Sequence, residues 1–335
     1  MLPPHWRERL RLPLMAAPMT DVSGPALVAA ACAAGVIGAF PAHNAADSSE
    51  LERWLHGIGE QLGARIPAGR RAAPVGVNLV VHHSNARLAD DLRTVARCGA
   101  EVVVASVGSP REIVGPLHDA GITVLADVAS LRHVHRAAAS GVDGVVLLAA
   151  GAGGQTGWAN PFAFLRAVRQ GYDGIVVIAG GISDGAGILA AQVLGADLAY
   201  LGTRFIATTE SLASPAYRDA VVAATLDDVT TSAQVTGLPA NVLTGWLRAV
   251  GAEAPGAAPG GPLGPGPNGP NGPNGPNGFA VDRLLAHRGV WAAGHSVSGT
   301  DAVTGVAGLV DRLERELEQA RYQLLTADVP ALGCA

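Results

Sequence analysis

Short apolar runs recur along the chain. Each is introduced by a glycine and a polar or charged residue, and stretches with helical spacing lie between them. The pattern reads Gly99-Ala100-Glu101 before Val102–Ala105 and Gly121-Ile122-Thr123 before Val124–Ala126. It recurs as Gly141-Val142-Asp143 before Val145–Leu148, Gly171-Tyr172-Asp173 before Ile175–Ile178, and Gly195-Ala196-Asp197 before Leu198–Leu201. A glycine in that place ends the preceding helix, and an unbroken apolar run is a strand buried on both faces. The stretches between, such as Ser130–Ser140 and Gly185–Leu194, are rich in alanine and helix-periodic. Upstream, Leu12–Ala17, Val36–Phe40 and Val75–Val80 read as three more strands. Eight βα units within residues 1–205 predict an α/β fold, a (βα)8 TIM barrel. An open doubly wound sheet would want a glycine-rich loop after its first strand, and Ala16-Ala17-Pro18-Met19 is not one.

The pattern then weakens. Residues 206–253 read as a helical, irregular extension, and 254–278 as a Pro/Gly-rich insertion ending in four Pro-Asn-Gly triplets, Pro267–Gly278. Four triplets are too short for a collagen helix, so a flexible surface segment is expected. Residues 279–335 form a C-terminal segment with a helix over Ala307–Leu325. Its stripe of Leu309, Leu313, Leu317, Ala320 and Leu324 is expected to pack on the barrel.

Composition narrows the function classes. Hydrophobic residues make up 49% of the 335 and aromatics only 4%, so Ala, Val, Leu and Gly must fill the core. A net charge of −5 argues against nucleic-acid binding, which needs a basic face. All 23 basic residues are arginine, so Schiff-base chemistry through lysine is excluded. Cys32, Cys98 and Cys334 show neither a disulfide frame nor metal-ligand spacing, which fits a cytoplasmic protein without a metal. No apolar run is long enough to span a membrane. A small-molecule substrate is the expected partner, and a homodimer stays open.

Glycine clusters close three successive strands. Ala179-Gly180-Gly181-Ile182-Ser183 and Tyr200-Leu201-Gly202-Thr203-Arg204 follow the last two, where bare backbone lets amides approach an anion closely. The helix after the first, capped by Ser183 or Asp184, would add its positive end. Ala150-Gly151-Ala152-Gly153-Gly154-Gln155-Thr156-Gly157-Trp158 follows the sixth strand. So bare a loop suits a large flat ligand, with Gln155 and Thr156 to orient it and Trp158 to wall it. Asn78 ends the third strand with an amide that both donates and accepts. Asp127 ends the fifth, placed to accept from a ligand hydroxyl or to cap the helix from Ser130. Ala17, Pro18 and Met19 close the first strand with main chain that could flank a ring. His43 and Asn44 follow strand two, and His82 and His83 follow strand three, all on the C-terminal side.

The segments Ala152-Gly153-Gly154-Gln155-Thr156-Gly157, Ala179-Gly180-Gly181-Ile182 and Leu201-Gly202-Thr203-Arg204-Phe205 resemble the nitronate monooxygenase family, formerly 2-nitropropane dioxygenases. Pro13–Met19, Gly76-Val77-Asn78 and Trp291-Ala292-Ala293-Gly294 resemble its remaining landmarks, so the likeness covers nearly all but the insertion. The resemblance implies FMN bound non-covalently at the C-terminal face, with Asn78, Gly153, Gly181, Tyr200, Leu201, Gly202 and Thr203 around it. It implies oxidation of nitronates or nitroalkanes. Where the family's loop has a histidine base, this chain has Gln155, an amide that cannot take a proton near neutrality. The Gly-Gln-Thr-Gly-Trp form resembles an actinobacterial branch of flavin oxidoreductases of steroid-ring degradation. That implies a second reading, an NAD(P)H-linked reductase or dehydrogenase of an enone or CoA thioester. A third reading is a flavin-binding accessory protein without redox activity. His295 stands where the family usually has Gln, and Leu148 where it often has Gln.

Overall fold

The computed structural model describes residues 1–67, 69–235, 237–251 and 289–326. The Pro/Gly-rich insertion and Cys334 lie outside them. All eight predicted strands are present: β1 (Leu14–Ala16), β2 (Ile37–Pro41), β3 (Val75–Val80), β4 (Val102–Ser106), β5 (Thr123–Val128), β6 (Gly144–Leu148), β8 (Ile175–Ala179) and β9 (Leu198–Leu201). They are parallel and close into a barrel, with Met15 of β1 opposite Ile37 of β2 on one side and Tyr200 of β9 on the other. Helices lie between successive strands, which makes this a TIM barrel.

Because side chains alternate along a strand, each strand feeds two cores. Met15, Ile37, Ala39, Val102, Val104, Leu125, Val146, Val177 and Leu198 fill the interior, with Trp6 of the short helix α1 (Pro4–Arg7) and Leu2 packed against them. The alternate residues, among them Val77, Leu79, Val103, Val145, Leu147, Ile178 and Leu201, face the helices. Both faces are therefore apolar, the reason the strands read as unbroken runs.

The extension differs from its sequence reading. The described residues between 206 and 251 hold the helices α10 (Pro215–Ala223) and α11 (Thr244–Ala249), but also the antiparallel strands β10 (Val229–Ser232) and β11 (Ala240–Leu243). β11 pairs on its other edge with β7 (Gly154–Gln155) in the loop after β6, setting Ala240 opposite Gln155 and Asn241 opposite Gly154. Val229-Thr230-Thr231-Ser232 has β-branched character, yet it is short and half-exposed, with no apolar face to announce it.

The last described helix, α12 (Val306–Thr326), matches its predicted span. Leu309, Leu313 and Leu317 are buried, but the stripe loses its cover further on, where Leu324 is 64% exposed. Arg11 pairs with Asp311 and Glu314, tying the start of the barrel to this helix. Among the described residues, no helix is long and apolar enough to cross a membrane.

Candidate functional site

Inward-facing positions at or just past the C-terminal ends of the strands open on one cleft. Ala17, Pro41, Asn78, Ser106, Asp127, Leu148, Ala179 and Tyr200 make its floor. Pro18, Met19, His43, Gly151–Gln155, Gly180–Ile182, Gly202, Thr203, Tyr217, Ala240, Val242, Ala292 and Ser296 make its walls. The cleft is a deep concavity open at its mouth, lined by loops from every side of the barrel.

One side is a cradle of main-chain donors. Gly180 and Gly181 have φ +127° and +74°, conformations that favour glycine. A side chain at Gly180 would start 2.8 Å from the Ala150 carbonyl oxygen, while at Gly181 nothing lies within 4 Å. The amides of Gly181, Ile182 and Gly202 donate to no protein acceptor among the described residues. Behind them Arg204 is buried, its guanidinium donating to the Ser183 and Gly299 carbonyls. Burial lowers its pKa, yet an arginine stays charged, so positive potential backs the cradle.

The helix after β8 contributes less than its position suggests. In α8 (Gly185–Leu194) Asp184 is the cap and accepts from Gly187 N at 2.8 Å, and Glu316 of α12 accepts from Gly185 N at 3.1 Å. Two carboxylates already occupy its first turn. The donors left for an anion belong to the loops.

The opposite floor is polar. Asn78 donates through Nδ2 to Val104 O and Ser106 Oγ, both at 2.9 Å. Asp127 Oδ1 is sealed from solvent and has no hydrogen-bond partner among the described residues. Burial pushes its carboxyl up to about 7. Tyr200 is raised well above its usual range by burial and by the charge of Asp127. Asp127 does not cap the following helix; Ser130 does, accepting from His133 N at 3.2 Å.

Around the loop after β6, Asn241 and Tyr217 are residues that the sequence did not point to, whereas Thr156 was expected to orient a ligand. Asn241, 1% exposed, donates to Ala152 O at 2.7 Å and accepts from Thr231 Oγ1 at 2.5 Å. Thr156 is buried and donates to Ala149 O at 3.1 Å, so it anchors the loop from beneath. Tyr217 donates to Ala292 O at 2.5 Å and stacks on Trp291 with ring centres 5.3 Å apart. Asn44 donates to Met19 O and Ser23 O at 2.9 Å each, fixing the turn after β1.

Of the singled-out residues, Ala17, Pro18, Met19, Asn78, Asp127, Gly153, Gly154, Gln155, Gly180, Gly181, Tyr200, Gly202 and Thr203 line the cleft. Leu201, Trp158, His82 and His83 fall outside the lining, as do Thr156 and Asn44. Leu201 is one residue out of phase with Tyr200, so it faces the helices and is 2% exposed. Trp158 has left the pocket loop and is 72% exposed. β3 turns away after Val80, leaving His82 and His83 against each other with ring centres 4.1 Å apart, and His82 bonded to Ser84. The imidazole that lines the cleft is that of His43, whose Nε2 lies 3.0 Å from Thr20 Oγ1. His295 packs behind Gly151 and its N–H donates to Gly151 O at 2.9 Å. On the outside of the barrel Glu52, His56 and Cys98 come together, but Arg97 lies 3.8 Å from Glu52 and already offers that carboxylate a cation.

Comparison with known proteins agrees with this architecture. A nitronate monooxygenase of Paraburkholderia phytofirmans is 29% identical, covering 93% of this chain and 94% of its own length. A (3aS,4S,5R,7aS)-5-hydroxy-7a-methyl-1-oxo-octahydro-1H-indene-4-carboxyl-CoA dehydrogenase of Rhodococcus jostii is 31% identical, covering 69% of this chain and 62% of its own. The solved structure of a nitroalkane oxidase from Streptomyces ansochromogenes superposes with TM-score 0.74 at 25% identity, covering 94% of this chain and 98% of the other. The family model for nitronate monooxygenase matches residues 7–260. With its barrel, its glycine cradle and this match over most of its length, the chain belongs to the nitronate monooxygenase family of flavin-dependent oxidoreductases.

Proposed function

We propose that the cleft holds FMN and oxidises a small substrate whose reacting carbon is acidified by a neighbouring nitro group. The observation that carries this is the division of the cleft: unpaired amides and a buried guanidinium on the β8–β9 side, polar strand ends on the β3–β5 side. Gly181, Ile182, Gly202 and Thr203 would take the phosphate. Ala17, Pro18, Met19, Asn78, Gly153 and Tyr200 would surround the ring system. The cradle serves one phosphate, and the chain has no dinucleotide fingerprint for a second half, which favours FMN over FAD. Bound flavin supplies the electron acceptor; the protein binds, orients and excludes water. Gln155, held by β11, offers an amide to substrate or cofactor, and Tyr217 with Ala292 walls the substrate side.

Gln155 and the Rhodococcus relative favour a second reading, an NAD(P)H-linked dehydrogenase or reductase of a CoA thioester. An amide in place of a base suits a substrate that needs orientation at that point.

The absorption spectrum of purified protein and the mass of the released cofactor test the first claim. Flavin bands and the mass of FMN are expected; FAD, or no flavin, overturns it. Anaerobic flavin bleaching by nitronate, by NADH and by acyl-CoA in turn then separates the two reactions.

A further inference from the structure

We infer that Asp127 is the proton-transfer residue of this cleft, exchanging a proton with the acidic carbon of a bound nitroalkane or thioester. This rests on the reading of the cleft as a substrate site.

Geometry comes first. Asp127 holds the last inward position of β5, lines the cleft, and keeps Oδ1 buried without any partner. A buried, unpaired carboxyl oxygen in a binding cleft calls for a ligand or a function. Among the described residues its neighbours supply no partner: Asn78 and Ser106 bond to one another, Leu148 is apolar, and the Tyr200 hydroxyl makes no bond to Oδ1. No arginine lines the cleft among the described residues. Apart from Asp127, the titratable groups facing the cleft are Tyr200, Tyr217 and His43. Burial raises both phenols, and Tyr217 is committed to Ala292 O. His43 sits at the wall against Thr20. Gln155 carries no titratable proton.

Chemistry comes second. Held near 7 by burial, the carboxyl of Asp127 is present in both forms at neutral pH, the condition for efficient general acid–base catalysis. Its carboxylate takes the proton from the C–H bond. The electron pair stays on the substrate, as a nitronate or an enolate, and the proton stays on Asp127. That proton exchanges with solvent through the open mouth of the cleft, and the reverse step delivers a solvent-derived proton to the carbon. Exchange alone consumes no oxidant. Proton removal thus moves from the loop position of Gln155 to the barrel floor.

The test uses nitroethane in D2O with photoreduced holoenzyme under argon, following loss of the carbon-bound hydrogen by NMR above the buffer background. Wild-type exchange should rise with pH through about 7. D127N should lower it by about 10²-fold or more while keeping flavin content, and D127S should behave alike. Wild-type exchange no faster than buffer, or D127N exchange at the wild-type rate, overturns the inference. Flavin absorbance is read separately, so its absence condemns the cofactor assignment, while exchange is still compared in protein as purified. Stability against pH gives a second readout. The folded carboxyl is raised from the usual ~4, so its stabilising share is complete at low pH and is lost as pH rises through about 7. The melting temperature of wild type relative to D127N should therefore fall between about pH 4 and about pH 7 and level off above. A constant difference would show that the acid is not held as described.

Discussion

At Gly181 the main chain is left-handed and nothing lies within 4 Å of where a side chain would begin. An aspartate fits that space, and the left-handed conformation costs roughly 1–2 kcal/mol, less for Asp than for most residues. G181D should therefore fold, with circular dichroism unchanged, yet purify without flavin, because its carboxylate would repel the phosphate. A variant that is yellow at full occupancy would misplace the cradle. Gln155 makes the opposite point. If proton transfer belongs to Asp127, Q155H should gain less than tenfold on nitroethane, against the ~10²–10⁴ that a newly installed base supplies. Stopped-flow flavin reduction of both forms measures it.

At the scale of elements, the loop after β6 is a strand of a small sheet, and Asn241 is its fastener. N241A leaves the buried Ala152 carbonyl unsatisfied and should cost about 1–3 kcal/mol. It should also weaken flavin binding, because Gly153 and Gly154 lose their support; unchanged melting and flavin affinity would contradict this. The sheet also marks where sequence reading stops. The barrel strands were legible because each is an apolar run bracketed by glycine. β7 has two residues and β10 is half-polar, so neither carries a period. The same limit explains the histidines. Strand phase predicts Asn78, Asp127 and Tyr200 on the cleft and would have found Ser106, whereas it says nothing once the chain turns. His43 reaches the cleft and His82 does not for reasons that lie in the turns.

Across the whole molecule the two ends of the barrel do different work. The upper end carries bare amides, an unpaired acid and open space. The lower end is closed by Trp6, 1% exposed against the interior core. W6A should cost about 3–5 kcal/mol by cavity formation, read as a lower denaturant midpoint. The flavin spectrum and affinity of the folded fraction should stay as in wild type. A shifted spectrum would mean that the ends are coupled.

Glu316 accepts from Gly185 N, and α12 packs on α8 beside the β8 loop. Glu316 thus finishes the support of a cradle laid down 131 residues earlier. During translation, a nascent chain exposing every barrel strand would still lack that support until α12 has left the ribosome. If the cleft binds flavin as proposed, capture waits for α12, and a chain cut before residue 306 should hold flavin less tightly than the whole one.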